Sequence, residues 1–403
     1  MTAEDYIARE DKFGAHNYHP LPVVLEKGEG IYMWDTDGKK YFDFLSAYSA
    51  VNQGHCHPKI VNAMMEQAQK LTLTSRAFYN SSLGEYEEYI TKYFGFDKVL
   101  PMNTGAEADE TALKLCRKWA YTKKGIAENE AKIIVCDGNF HGRTITIVSM
   151  STDPESYAGF GPFTPGFVVV PYNDIEALEK ELKDPNVAGF IVEPIQGEAG
   201  VYVPGDEYLK RAHELCKENN VLFIADEVQT GIARTGKLLA CDHLGIRPDV
   251  LILGKAISGG VFPVSAVLAD DDIMLCIKPG EHGSTFGGNP IACKVAMAAL
   301  DVIKDEKLAE NAENMGQIFR SELEAINSDM IELVRGRGLL NAVVIKPKNG
   351  KEAWDVCVRL KENGLLAKPT HQHIIRFAPP LTINETELRE AIEIIKNTMA
   401  EFE

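Results

Sequence analysis

The chain has 403 residues, 45% of them hydrophobic and 25% charged, a soluble globular balance too long for one ordinary core; at about 150 residues per domain it holds two or three units. Its formal charge of −17 sets most of the surface against phosphate backbones and anionic membranes, which excludes nucleic acid as a general partner but leaves room for a local basic pocket. No apolar stretch approaches the ~20 residues that span a bilayer, so no membrane-spanning helix is expected.

The opening Met1-Thr2-Ala3-Glu4-Asp5 has neither an apolar signal core nor the Arg-rich character of a transit peptide. Eight cysteines lie scattered without a C-x-x-C pair and read as reduced thiols. The cytoplasm is the expected compartment, with the mitochondrial matrix as the alternative if a leader has been removed.

Residues 1–48 carry Gly and Pro punctuation and a small hairpin from Gly30 to Phe44, turning at Asp37-Gly38; they read as an extension, outside the core. Residues 49–305 read as a large α/β domain. Between about Ala131 and Asp270, short apolar runs alternate with amphipathic segments, the pattern of a mostly parallel sheet covered on both faces. The predicted strands are 132–136, 167–171, 189–193, 221–225, 250–253 and 264–268, with a helix over 207–219. From Asn289 a long helical pattern runs toward Ile326. Residues 306–403 read as a smaller α+β domain with strands at 331–334, 339–345 and 374–377, closed by a helix whose start is marked by Asn384 and Glu387.

Two of these runs end in an ionisable group. Val221-Leu222-Phe223-Ile224-Ala225 closes on Asp226, and Val250-Leu251-Ile252-Leu253-Gly254 closes on Lys255. C-terminal strand ends are where open α/β sheets bind ligands. A partly desolvated lysine there is a nucleophile toward carbonyls, and a carboxylate can hold a pyridine nitrogen protonated. Each alone reads as a surface charge or a helix cap; as a pair they match the needs of pyridoxal 5′-phosphate.

Three loops add candidates. Asn103-Thr104-Gly105-Ala106 opens a helix and offers the N–H groups of Thr104, Gly105 and Ala106 to a phosphate, although a plain capped helix start reads the same. Gly283-Ser284-Thr285-Phe286-Gly287-Gly288 is a second polar, glycine-rich turn that offers hydroxyls to the same phosphate, or is simply a loop. Gly138-Asn139-Phe140-His141-Gly142-Arg143 follows a strand; Phe140 suits stacking on a flat ring and Arg143 suits a carboxylate, with a buried structural arginine equally consistent. His141 reads as structural.

Together these residues resemble the class III branch of fold type I pyridoxal-phosphate-dependent aminotransferases over almost the whole chain. The tract from Leu222 through Gly231 to Lys255 is similar to that branch's cofactor signature. Within the branch, His16-Asn17-Tyr18-His19-Pro20, Phe44 to His55, Glu193 to Gly200 and Ile375 to Pro380 resemble the members that move the δ-amino group of L-ornithine to 2-oxoglutarate, between arginine and proline metabolism.

The resemblance implies a Schiff-base role for Lys255, a pyridine-nitrogen contact for Asp226, a ring-hydroxyl contact for Gln229 and stacking by Phe140. It implies phosphate binding by Gly105 and Ala106, a cofactor-binding place for Ser284, and a reach by Thr285 to the phosphate of a neighbouring subunit of at least a dimer. Tyr18 and Arg143 would grip the α end of ornithine, with Tyr48 lining the pocket from the partner chain. Arg376 would take the α-carboxylate of 2-oxoglutarate, with Glu198 masking it while ornithine is bound. No metal is expected. The alternatives are sister activities on N-acetylornithine, 4-aminobutyrate or the ε-amine of lysine.

Overall fold

A computed structural model describes residues 1–403. Its centre is a seven-stranded sheet in the order Lys98–Met102, Ser265–Ala269, Val250–Leu253, Leu222–Asp226, Val187–Val192, Lys132–Cys136, Phe167–Val170. All strands share one direction except Ser265–Ala269, which pairs antiparallel with both of its neighbours. The predicted strands therefore occur, the last reversed, and the Lys98–Met102 strand at the sheet's margin joins them.

The continuous apolar runs follow from burial on both sides. Along Leu222–Asp226, Leu222 and Ile224 pack with Ala112, Leu115 and Cys116 of the Gly105–Trp119 helix, while Phe223 and Ala225 pack with Leu209, Ala212 and Leu215 of the Asp206–Glu218 helix. That alternation is the two-residue period of a strand.

The N-terminal reading needs correction. The hairpin Tyr32–Asp35 and Lys40–Asp43 turns at Gly38 as expected, but it belongs to a sheet that also contains Leu25–Glu29 and, parallel to Lys40–Asp43, Leu365–Leu366. Phe44 is fully buried, with its ring centroid 5.7 Å from that of Phe319 and 6.2 Å from that of Phe377. The part from Leu25 to Phe44 is thus built into a sheet and core that unite both ends of the chain, whereas residues 1–24 have no buried member and keep the character of an extension.

The long helical pattern is two helices, Pro290–Asp305 and Leu308–Glu324, broken where Lys307 adopts a left-handed φ of 52°. A third sheet, in the order Ile331–Arg337, Leu340–Ile345, Ile374–Phe377, Lys368–Thr370, is antiparallel throughout. The closing helix Glu385–Ala400 begins with the expected reciprocal cap between Asn384 and Glu387.

Candidate active site

Five parallel strands deliver their C-terminal ends to one place. Gly105 follows Lys98–Met102, Phe140 follows Lys132–Cys136, Glu193 follows Val187–Val192, Asp226 closes its strand, and Lys255 lies two residues past Leu253. All five line a cavity of about 180 Å³. The register that sets Asp226 opposite Ile252 brings the carboxylate and the lysine to the same edge.

The inner wall is a buried polar cluster. Asp226 Oδ2 accepts a hydrogen bond from His141 Nδ1–H at 2.6 Å, and Oδ1 accepts one from the Val228 N–H at 2.9 Å. Because a carboxylate only accepts, His141 is the donor. Glu193 Oε1 takes the Phe140 N–H at 2.8 Å. Burial pushes Glu193 up to about 7, the His141 ring opposing and Asp226 assisting. Burial also raises Asp109 well above the carboxylate range, with Asp226 and Glu193 adding to the rise. Burial disfavours the imidazolium of His141, but its bond to Asp226 outweighs that and leaves its pKa raised.

Lys255 responds in the opposite sense. Burial lowers its pKa, Asp226 resists, and the Arg376 charge lowers it further. Its φ of 43° is left-handed, a backbone conformation that a non-glycine residue holds only where the surroundings impose it.

The donor set fits an anionic, ring-bearing cofactor. The Gly105 and Ala106 amides start a helix and have no intrahelical acceptor. A Cβ on Gly142 would come within 2.7 Å of the Ala106 Cβ, so the loop and the helix start need a glycine to approach this closely. His141 Nε2 and Asp109 Oδ1 are buried without partners. The Thr104 amide is not free, contrary to expectation: it donates to Glu107 Oε2 at 2.9 Å in a capping box.

An outer cavity of about 790 Å³ joins the inner one at Phe140, Gln229 and Lys255. On its deep side the Arg376 Nη1–H donates to Glu198 Oε2 at 3.0 Å, and to Gly197 O and Gln229 Oε1 at 3.2 Å each. Arg376 is only 2% exposed, whereas the Glu198 side chain is 33% exposed and so has room to move. On the far rim stand Tyr18 and Arg143; Arg143 is exposed and makes no ion pair, so it is not the buried structural arginine that the sequence equally allowed. Its guanidinium carbon lies 5.6 Å from the Phe140 ring centroid.

Tyr48 corrects another expectation. Its ring lies 4.8 Å from the Arg376 guanidinium carbon of its own chain, so the chain lines its own pocket there. The cause is local. Ser46, Ala47, Tyr48 and Ser49 have φ of 48°, 45°, 60° and 71°, a left-handed turn begun where Asp43 Oδ1 accepts the Leu45 and Ser46 amides at 2.8 Å each. Ser284 and Thr285, by contrast, line neither cavity of their own chain. Ser284 Oγ accepts Asn103 Nδ2–H at 2.8 Å, and Thr285 is exposed.

Sequence reasoning passed over Glu193 and Asp109 and left His141 aside. Glu193 carried a usable signal, because it too ends an apolar run. Asp109 and His141 did not, since their meeting depends on contacts across the sheet.

The family model described as "Aminotransferase class-III" matches residues 13–399. The protein described as mitochondrial ornithine aminotransferase from Drosophila ananassae is 67% identical over 98% of this chain and 91% of its own length. A solved ornithine aminotransferase from Toxoplasma gondii superposes with a TM-score of 0.98 at 52% identity, covering 100% of this chain and 95% of that one. The solved structure described as acetylornithine aminotransferase from Elizabethkingia anophelis has a TM-score of 0.92 at 62% identity and covers 100% of both chains.

Proposed function

Because the chain belongs to the class III aminotransferase family, we propose that it transfers the δ-amino group of L-ornithine to 2-oxoglutarate, yielding L-glutamate 5-semialdehyde and L-glutamate. Pyridoxal 5′-phosphate, the cofactor of this family, supplies an electron-withdrawing ring that stabilises charge on the carbon losing its proton. Lys255 would hold it, with Asp226 available to its ring nitrogen, Gln229 to its hydroxyl and Phe140 to its face, and with Gly105 and Ala106 for its phosphate.

The observation that carries the reading is the Glu198–Arg376 pair. Ornithine has two amines, and an open arginine beside Lys255 would draw in its carboxylate and present the wrong one. With Arg376 masked by Glu198, the carboxylate is left to Arg143 and the α-amine to Tyr18 on the rim, and the δ-carbon is the one oriented toward Lys255. Lys255 Nζ then receives the δ-carbon proton and returns it, a task suited to an amine whose pKa burial has lowered. For 2-oxoglutarate, Glu198 withdraws and Arg376 binds the α-carboxylate, with Arg143 available to the γ-carboxylate.

Ser284 and Thr285, which face neither cavity of their own chain, are assigned to a neighbour's phosphate, and the working unit is at least a dimer. Residues 1–48, 49–305 and 306–403 are taken as N-terminal segment, large domain and small domain, the first joined to the last through a shared sheet. Of the eight cysteines seven are buried and none is bonded, which favours a reducing compartment: the cytoplasm in this reading, the mitochondrial matrix as the alternative.

The test is product trapping with o-aminobenzaldehyde, which reports the cyclised semialdehyde. Colour with L-ornithine, and a higher kcat/KM for it than for N-acetyl-L-ornithine, 4-aminobutyrate or L-lysine, is expected. A preference for N-acetyl-L-ornithine would overturn the assignment in favour of the second reading, which the Elizabethkingia relative recommends. The unpaired Arg143 and exposed Tyr18, placed for a free α end, speak against that reading.

A further inference from the structure

Masking one arginine with one glutamate leaves a charge to be housed whenever the mask is lifted. Once Arg376 takes a substrate carboxylate, Glu198 is a displaced anion on the wall of the outer cavity. The strand Lys368–Thr370 pairs antiparallel with Ile374–Phe377, and its register sets Lys368 directly opposite Arg376. Residues directly opposite in such a pair project from the same face, with Cβ atoms about 4.5–5.5 Å apart. An ammonium thus stands alongside the guanidinium. It is half-buried and makes no hydrogen bond or ion pair, unlike Lys132 and Lys348, which pair with Asp184 and Glu403. Two adjacent cations repel, so an anion released between them is drawn to whichever is left unpaired.

We propose that Lys368 is a positioning residue that receives the Glu198 carboxylate while Arg376 binds the α-carboxylate of 2-oxoglutarate. The inference rests on the masking role given to Glu198 above. Glu198 is bonded to Arg376, and its charge is felt by Lys255, Lys368 and Tyr48. Arg376 is taken by the substrate, Lys255 is committed to the cofactor and the moving proton, and Tyr48 carries no charge. Lys368 remains. Burial lowers its pKa, with Glu198 opposing the fall and Arg376 assisting it, so a closer carboxylate would favour its charged form. Each buried charge then has a partner in both states, and only part-exposed Lys368 is left to solvent in one of them. With ornithine bound, Glu198 neutralises Arg376 and solvent screens Lys368; with the dicarboxylate bound, substrate neutralises Arg376 and Glu198 neutralises Lys368.

The experiment measures the two half-reactions separately on the holoenzyme, by the absorbance change on adding L-ornithine to one cofactor form and 2-oxoglutarate to the other. In Lys368→Met the ratio of kcat/KM for 2-oxoglutarate to that for ornithine is expected to fall about tenfold, the scale of one charge-assisted contact, and Lys368→Arg should restore it. Repeated in a Glu198→Gln background, where no anion needs housing, Lys368→Met should leave the ratio unchanged. A fall that persists in that background would mean that Lys368 attracts the dicarboxylate directly, and the proposal is overturned. So it is by an unshifted ratio in Lys368→Met, or in Lys368→Gln should the methionine variant not fold. A wild-type protein inert toward ornithine would instead defeat the ornithine assignment itself.

Discussion

At the inner end of the site Asp226 is gripped by His141 at 2.6 Å and by the Val228 amide at 2.9 Å, and Asp109 and Glu193 are buried beside it. At the outer rim Arg143 makes no ion pair and Tyr18 is 75% exposed. Of the inner groups, Asp226 and Glu193 stand at strand ends, Asp109 on the helix Gly105–Trp119 and His141 on the loop after Lys132–Cys136; of the outer ones, Arg143 stands two residues further along that same loop and Tyr18 in the exposed N-terminal segment. This division matches two tasks. Proton transfer needs atoms held within fractions of an ångström, whereas accepting two substrates of different length and charge at one place needs groups that exchange partners. Between the regions lies the Glu198–Arg376 pair, one member buried and the other part-exposed.

The largest effect should come from the inner end. Lys255→Ala is expected to lower kcat about 10⁴-fold for both half-reactions, the upper range for a positioned acid–base group. Stopped-flow absorbance with each substrate measures it, and a loss confined to one substrate would break the comparison. Glu198→Ala comes next. It should raise α-amino transfer from glutamate relative to δ-amino transfer from ornithine by about 10- to 1000-fold, as expected for removing a charge-assisted pair worth a few kcal/mol. An unchanged ratio would make the pair merely structural and extend the rigid inner region out to Arg376.

The same division governs what could be read in the sequence. The strands Val250–Leu253 and Leu222–Asp226 were legible because burial on both faces leaves unbroken apolar runs, and their terminal Lys255 and Asp226 stood out against them. The helix Ala3–Phe13 was not, because none of its residues is buried and no apolar stripe marks it; only its capping box of Thr2 and Asp5 gave it a local sign. Lys98–Met102, partly exposed and containing Pro101, also lacks the pattern. In the site, single residues at strand ends announced themselves. The bond between His141 and Asp226, 85 positions apart, and the left-handed turn that carries Tyr48 over Arg376 depend on tertiary placement, which no local period records.

The inner cluster should also leave a mark on stability. Glu193 titrates at about 7 against an ordinary 4.5, so between those values the folded protein keeps a proton that the unfolded chain releases. By linkage, stability from this group falls as pH rises through that window and is level above it. Glu193→Gln cannot ionise, so its melting temperature relative to wild type should climb by a few degrees between pH 5 and 7.5. A difference that stays flat with pH would show that Glu193 is ionised throughout and that the inner wall carries more charge than its burial implies.

The smallest effect belongs to the rim. Tyr18→Phe removes one hydroxyl from a side chain that is 75% exposed, where water competes for the same contact. A neutral hydrogen bond contributes about 0.5–1.5 kcal/mol, or roughly 2- to 10-fold. That loss should appear in KM for ornithine, whose α-amine Tyr18 meets, with kcat little changed. KM for 2-oxoglutarate, which has no amine to offer, should move less. Were Tyr18→Phe to lower kcat for both substrates together, the rim would be coupled to the proton-transfer geometry, and adaptable binding would have to be sought in Glu198 and Arg376 alone.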